Sequence, residues 1–226
     1  LNFIDRYRPE KPGILQSFFP SPIYVSKEDF LSFSFNYIPI YNTFLSWEER
    51  LKDIRSNLNR LSSNLEFMER IQSVEVPLEN LRGTLYTRSF LLEFPPKKKE
   101  ALEEKLKERN LAWLGEEFPG KGGNVLWWVV IHKSEEEAMG EILAELSISP
   151  LSLPQPFEGT PQEIIEDLEY RIGELHKEQS KIMEEAALQT KLERELKIAY
   201  DYYFSLWERH QSETKLLRTK ETCYIS

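Results

Sequence analysis

With 226 residues, 40% hydrophobic, 12% aromatic and 30% charged, the chain can bury one or two small cores while carrying long solvated helices. A net charge of −9 and a pI near 5.1 argue against nonspecific binding to nucleic acid or to an anionic membrane. The single cysteine, Cys223, excludes an internal disulfide framework and fits a reducing compartment. The longest wholly apolar run, Val125 to Ile131, falls far short of the ~20 residues needed to span a bilayer.

The first strong element in chain order begins at Phe44. Phe44, Trp47, Leu51, Ile54, Leu58, Leu61, Leu65 and Met68 follow alternating steps of three and four, which places them on one stripe of a helix. A stripe this narrow is a helix–helix seam. The residues between, such as Glu48, Glu49, Arg50, Lys52, Asp53, Arg55 and Arg60, are charged and keep the remaining surface in water. One partner helix is implied.

Residues 76–157 read as alternating strands and helices. Thr84 to Phe94 alternates, with Tyr86, Arg88, Phe90, Leu92 and Phe94 on one face and Leu85, Thr87, Ser89, Leu91 and Glu93 on the other, so it is a strand ended by Pro95-Pro96. Lys97 to about Arg109 is a helix with Ala101, Leu102 and Leu106 inward. Leu111 to Phe118 is a weaker strand, followed by the Pro119-Gly120-Lys121-Gly122-Gly123-Asn124 turn. Val125 to Ile131 is a strand apolar on both faces. Ser134 is placed to cap the next helix, whose buried face is Ala138, Met139, Ile142, Leu143 and Leu146. Ile148 to Leu153 contains Pro150, which suits an edge strand.

This order predicts an α+β chain: a ferredoxin-like, β-α-β-β-α-β lobe carried on a long antiparallel helical coiled coil. Such a sheet has helices on one face only. Trp127 and Trp128 point to opposite faces of the central strand, so one of them belongs on the open face. It packs there against the coiled coil or a loop, or it forms a protein-docking surface with Tyr86 and Arg88 as further candidates.

The second long helix opens at Gly159-Thr160-Pro161-Gln162-Glu163. Thr160 caps free amides, Pro161 suits the first helical position, and Glu163 completes a capping box. Ile165, Leu168, Ile172, Leu175, Ile182 and Ala186 keep the heptad spacing. After a phase slip near Gln189 it resumes as Leu192, Leu196, Ala199, Tyr203, Leu206 and His210, with no break expected before about Arg218. Phe44 to Gln72 would span roughly 43 Å and Thr160 to Arg218 roughly 88 Å, so the second helix overhangs the first. Tyr203, Phe204, Leu206 and Trp207 then require cover from residues 1–43 or from further chain.

Catalytic signals are poor. His132, His176 and His210 are far apart, and there is no His-Glu-x-x-His, no cysteine pair and no Gly-x-Ser-x-Gly. Gly120-Lys121-Gly122-Gly123 lacks the spacing of a phosphate loop and joins two strands, which makes it a hairpin turn. Lys97-Lys98-Lys99 is a solvated helix start. No catalytic residue, cofactor site or metal site is expected.

Several stretches carry a family resemblance: Leu15 to Val25 (LQSFFPSPIYV) followed by Ser26-Lys27-Glu28-Asp29, Val76-Pro77-Leu78-Glu79-Asn80-Leu81, Phe157 to Glu163, and the tail Leu216 to Ser226. The chain resembles the N-terminal cytoplasmic domain of subunit I of V-type and archaeal-type ATPases, called subunit a in eukaryotes. The resemblance implies a proximal segment and linker helix at 1–43, a first coiled-coil helix at 44–75, a distal lobe at 76–157, a second coiled-coil helix at 158–220, and at 221–226 the start of a strand of an incomplete proximal lobe. The chain reads as an excised domain whose membrane half lies elsewhere in the parent.

The implied role is a stator part at the cytoplasmic face of the membrane. It binds the peripheral stalks, heterodimers of subunits E and G, together with other ATPase subunits, and the fragment itself is monomeric. Two rival classes share the pattern. One is a regulatory module whose ferredoxin-like lobe binds a small ligand. The other is a parallel homodimeric tether, which would sediment at twice 26.8 kDa.

Overall fold

The computed structural model describes residues 22–153, 157–215, 217–218 and 223–224. In chain order it forms helices α1 (Lys27–Leu31) and α2 (Ile38–Arg70), strand β1 (Thr87–Phe94), helix α3 (Lys97–Glu108), strands β2 (Trp113–Pro119) and β3 (Val125–His132), helix α4 (Glu136–Glu145), and the long helices α5 (Pro161–Leu188) and α6 (Glu193–Lys215). Two-residue strands β4 (Leu217–Arg218) and β5 (Cys223–Tyr224) pair antiparallel. The remainder of the strand expected at 221–226 lies outside the described residues. Two compact units divide the chain, Ser56–Leu175, and Leu1–Arg55 with His176–Ser226.

In Ser56–Leu175 the sheet is antiparallel with the order β1-β3-β2. Val125–His132 supplies the central strand because it is apolar on both faces, five of its eight residues being fully buried. The fourth strand expected at Ile148 to Leu153 is only one bridge, Leu92 with Pro150, beside a bond from the Leu151 amide to the Leu91 carbonyl (2.7 Å). Proline has no N–H to extend the ladder, so pairing stops there. β1 begins three residues later than its alternation suggests. Thr84 instead closes a turn in which its amide donates to Thr87 Oγ1 (3.0 Å).

The start of α4 also departs from expectation. Ser134 does not cap it; the His132 ring Nδ1 accepts the Ser134 amide at 3.3 Å, and Lys133–Glu135 wind a 3-10 turn before the helix. The hydroxyl of Ser134 is taken up by the same ring nitrogen (2.7 Å).

Both faces of the sheet carry buried clusters. On one, Leu92, Phe94, Trp127, Val129 and Ile131 pack with Leu102 and Leu106 of α3 and Met139, Ile142 and Leu143 of α4. On the other, Leu91, Phe118 and Leu126 pack with Leu61, Met68, Ile71, Val74, Leu78 and Leu81 and with Ile164, Ile165 and Leu168 of α5. The face without lobe helices, expected to meet the coiled coil, a loop or a partner, is covered in part by the long helices. At about 1.5–3 kcal/mol for each fully buried aliphatic side chain, two such layers supply most of the drive that closes this unit.

The second half of α2 does not keep the strict heptad. Its buried stripe is Leu61, Asn64, Met68 and Ile71, while Leu58 and Leu65 are half-buried. The helix packs on the sheet as well as on α5, so its buried face widens and turns. Polar ties fix its end: Arg70 pairs with Glu93, Lys121 with Glu69 (3.4 Å), and Ser73 Oγ donates to the Pro119 carbonyl (2.5 Å).

The start of α5 is built as its sequence reads. Thr160 Oγ1 accepts the Glu163 amide (3.3 Å) and Glu163 Oε2 accepts the Thr160 amide (2.8 Å), satisfying two free donors reciprocally. Gly159 adopts φ +96°, and a Cβ there would meet Glu163 Oε2. The Gly159 amide donates to Glu79 (2.8 Å) and its carbonyl accepts the Leu78 amide (2.9 Å), which stitches residues 78–79 to the helix start.

In the other unit, α2 begins at Ile38, six residues before the stripe at Phe44. Phe44, Leu51 and Ile54 are buried there, as are Ile182, Ala186, Ile198 and Ala199. Trp47 is half-buried. Arg50 forks onto Glu178, with Nε to Oε1 and Nη2 to Oε2 both at 2.7 Å. The helix expected to run unbroken to Arg218 is two helices. The phase slip near Gln189 is a 3-10 turn at Gln189–Leu192, and α6 ends at Lys215.

Candidate functional site

The sheet face that carries Leu91, Phe118 and Leu126 is covered unevenly. Register places Ser89, Val130 and Leu114 side by side across the three strands, with Leu91, Trp128 and Glu116 in the next row and Glu93, Leu126 and Phe118 beyond. The last row is shut in by the helices. Toward the first row cover thins: Val130 and Trp128 are half-buried, Glu116 is exposed and Leu114 is 78% exposed. An apolar shelf with one carboxylate is left at the β2 edge, and such a surface suits a protein contact better than chemistry.

The two tryptophans named from the sequence divide. Trp127, 2% exposed, is a core residue of the helix-covered face, held edge-on by Trp113 (5.0 Å) and Phe94 (6.2 Å). It is excluded as a docking residue by burial. Trp128 points to the opposite face and is half-buried, and its indole N–H donates to Ser89 Oγ (2.6 Å). It joins the cluster that includes side chains of the long helices, so most of its ring is used internally.

Tyr86 is 72% exposed, next to Leu85 at 83%, and its carbonyl accepts the Lys133 amide (2.8 Å). Arg88 is exposed but engaged with Glu136 (2.7 Å). By the alternation of the strand both belong to the face of Trp127 and not to that of Trp128. The four candidates therefore do not converge. Leu114, which does complete the shelf, was missed because Leu111 to Phe118 alternates weakly; an apolar residue followed by Gly115, Glu116 and Glu117 on an edge strand was its signal.

A second surface lies in the unit that holds α6. Tyr37 just before α2, Tyr41 and Phe44 of α2, and Leu196, Ala199, Tyr200, Tyr203 and Phe204 of α6 line an apolar groove of about 450 Å³. Residues before Phe44 meet α6, the unmatched end of the second helix, beside this groove: Phe30 and Phe33 lie on Tyr202 (5.6 and 5.7 Å) and Tyr37 on Tyr203 (5.0 Å), with Tyr203 still 43% exposed. Phe204, Leu206 and Trp207 are still 42%, 44% and 57% exposed.

Of the seam residues, Leu51, Ile54, Leu61, Met68, Ile165, Leu168 and Ile182 are buried, while Trp47, Leu58, Leu65, Ile172 and Leu175 are half-buried. The electrostatics are those of a solvated surface. Lys99 is raised above its ordinary pKa, chiefly by its bond to Glu117, and Arg109 by its bonds to Glu141 and Glu145. Among the described residues no three His, Cys, Asp or Glu side chains gather as metal ligands, and no helix is long and apolar enough to cross a membrane. The glycine loop is a hairpin turn, in which Gly120 N donates to Asn124 O (2.8 Å) and Gly122 and Gly123 take φ +67° and +80°.

No family model and no curated protein matches this sequence. Among solved structures the fold is similar to that of the cytoplasmic N-terminal domain of subunit I, a homolog of subunit a of V-ATPase. The match has a TM-score of 0.50 at 19% identity and covers 86% of this chain. This chain spans 61% of the length of that domain.

Proposed function

We propose that this protein is a non-catalytic stator element of a rotary V-type or A-type ATPase. The observation that carries this reading is the fold likeness to the cytoplasmic domain of subunit I. The arm acts at the cytoplasmic face of the membrane, between a membrane half in the same parent chain and the peripheral-stalk heterodimers of subunits E and G. It resists the torque of the rotor while ion transport is coupled to ATP hydrolysis or synthesis.

The mechanical parts suit that task. Aliphatic seams bend without losing contact area, whereas the lobe is stapled to the long helices by directional bonds: the Glu79–Gly159 bond, the bond from the Leu78 amide to the Gly159 carbonyl and the Arg70–Glu93 pair. Load reaching the lobe is passed on through these bonds. The stalk contact belongs on the shelf formed by Leu114, Val130 and the exposed edge of Trp128.

Titration of the chain against E–G heterodimer, by calorimetry with light scattering, tests the reading. A one-to-one complex of a monomeric chain is the expected result. A folded monomer that shows no binding at tens of micromolar would overturn the assignment of the stalk contact to this chain.

A further inference from the structure

Asn64 is the buried polar side chain of the described core, 5% exposed, and its amide Nδ2 makes no hydrogen bond. It stands between Leu61 (5%) and Met68 (0%) on the stripe that α2 turns inward, followed by Ile71 (0%). Immediately beside it Leu65 is only half-buried. A polar group thus occupies a core position while a leucine one residue away is left partly in water, the reverse of what burial alone selects.

Two facings of α2 compete. In the observed one, Leu61, Asn64, Met68 and Ile71 point inward. In the other, the heptad stripe Leu58, Leu61, Leu65 and Met68 points inward, Asn64 reaches water and Ile71 withdraws. At 100° per residue the helical members of the first stripe, Leu61, Asn64 and Met68, and those of the second have centres that differ by a rotation of about 45°. The helix end enforces the observed facing, since Ile71 is seated with Leu91, Phe118 and Leu126 and Ser73 is bonded to Pro119. The seam does not, because Ile164, Ile165 and Leu168 are plain aliphatics that accept either stripe.

We infer that Asn64 makes the stretch from Leu58 to Ile71 a bistable joint, in which α2 rotates between a lobe-engaged and a heptad-engaged packing. A buried amide without a partner raises the energy of the first packing and leaves the second untouched, which brings the two within reach of each other. This inference rests on packing and is independent of the stator assignment.

Hydrogen exchange read by mass spectrometry on the whole chain tests it. In the wild type, amides of 58–71 should open faster than those of α2 residues 44–54. Asn64→Leu removes the penalty on the engaged packing and should slow exchange at 58–71 by roughly 10- to 100-fold while raising the Tm. A lower Tm with faster exchange in Asn64→Leu would show that the amide is satisfied in place and overturn the joint.

Discussion

The indole of Trp127 lies directly over Gly115, so close that a Cβ on the glycine would stand 2.6 Å from Nε1 and 2.9 Å from Cε2. The ring cannot retreat, since Trp113 and Phe94 meet it edge-on. Gly115→Ala should therefore destabilise the lobe by about 1–3 kcal/mol, the range for overpacking a filled core, read as a fall in the urea midpoint. Trp127→Ala should cost about 3–5 kcal/mol through the cavity it leaves. A neutral Gly115→Ala would mean that the tryptophan has a second rotamer open to it.

Leu114 is the reciprocal case. With 78% of its surface in water, Leu114→Asp should alter stability by no more than about 0.5 kcal/mol. It should nevertheless weaken the proposed contact with the E–G heterodimer tenfold or more, because it puts a charge on the shelf. Equal affinity for wild type and variant would move the contact away from this face.

The capping box can be dissected by two substitutions. Thr160→Ala removes the acceptor of the Glu163 amide and should cost about 1 kcal/mol. Glu163→Gln keeps an oxygen for the Thr160 amide and should cost less. Thermal unfolding of both variants, followed by helix ellipticity, gives the order, and the opposite order would mean that the carboxylate charge outweighs the threonine cap.

Acid should weaken the fold through two particular carboxylates. Glu178 is held below the ordinary glutamate value of 4.5 by its bond to Arg50, and Glu79 by its own amide and that of Gly159. Because the folded-state values are the lower ones, this stabilisation is complete above pH 4.5 and is lost as the pH falls through them. Glu79→Gln and Glu178→Gln should each flatten the acid limb of a stability-against-pH curve. Salt should diminish the Glu178 share, which comes from an exposed pair.

What could be read from the sequence was local. Thr160, Pro161 and Glu163 announce a helix start because capping depends on neighbours three residues apart, and the slip near Gln189 announces a change of winding because heptad phase is a property of one chain. Position relative to other elements was not legible. Asn64 lies off the heptad stripe, beside Ser62 and Ser63, and looks solvent-facing until Ile71 is known to anchor α2 on the sheet. The sheet face of Trp128 reads as open because alternation reveals which residues share a face and not what covers it. Ile148 to Leu153 has the composition of a strand, yet Pro150 permits only one bridge.

Seventeen residues separate Ile182 from Ala199, both buried in the same unit. Along an uninterrupted α-helix that distance would leave the two pointing about 100° apart. The four residues Gln189–Leu192 wind at about 120° each instead of 100°, an excess of roughly 80° in total. Ala199 is thereby brought to within about 20° of the azimuth of Ile182, and Leu196 and Tyr203 share it. The 3-10 turn acts as a vernier between α5 and α6, bringing Ala199 back under the azimuth of Ile182 although the sequence is out of step, while Ile198 beside it widens the buried side of α6.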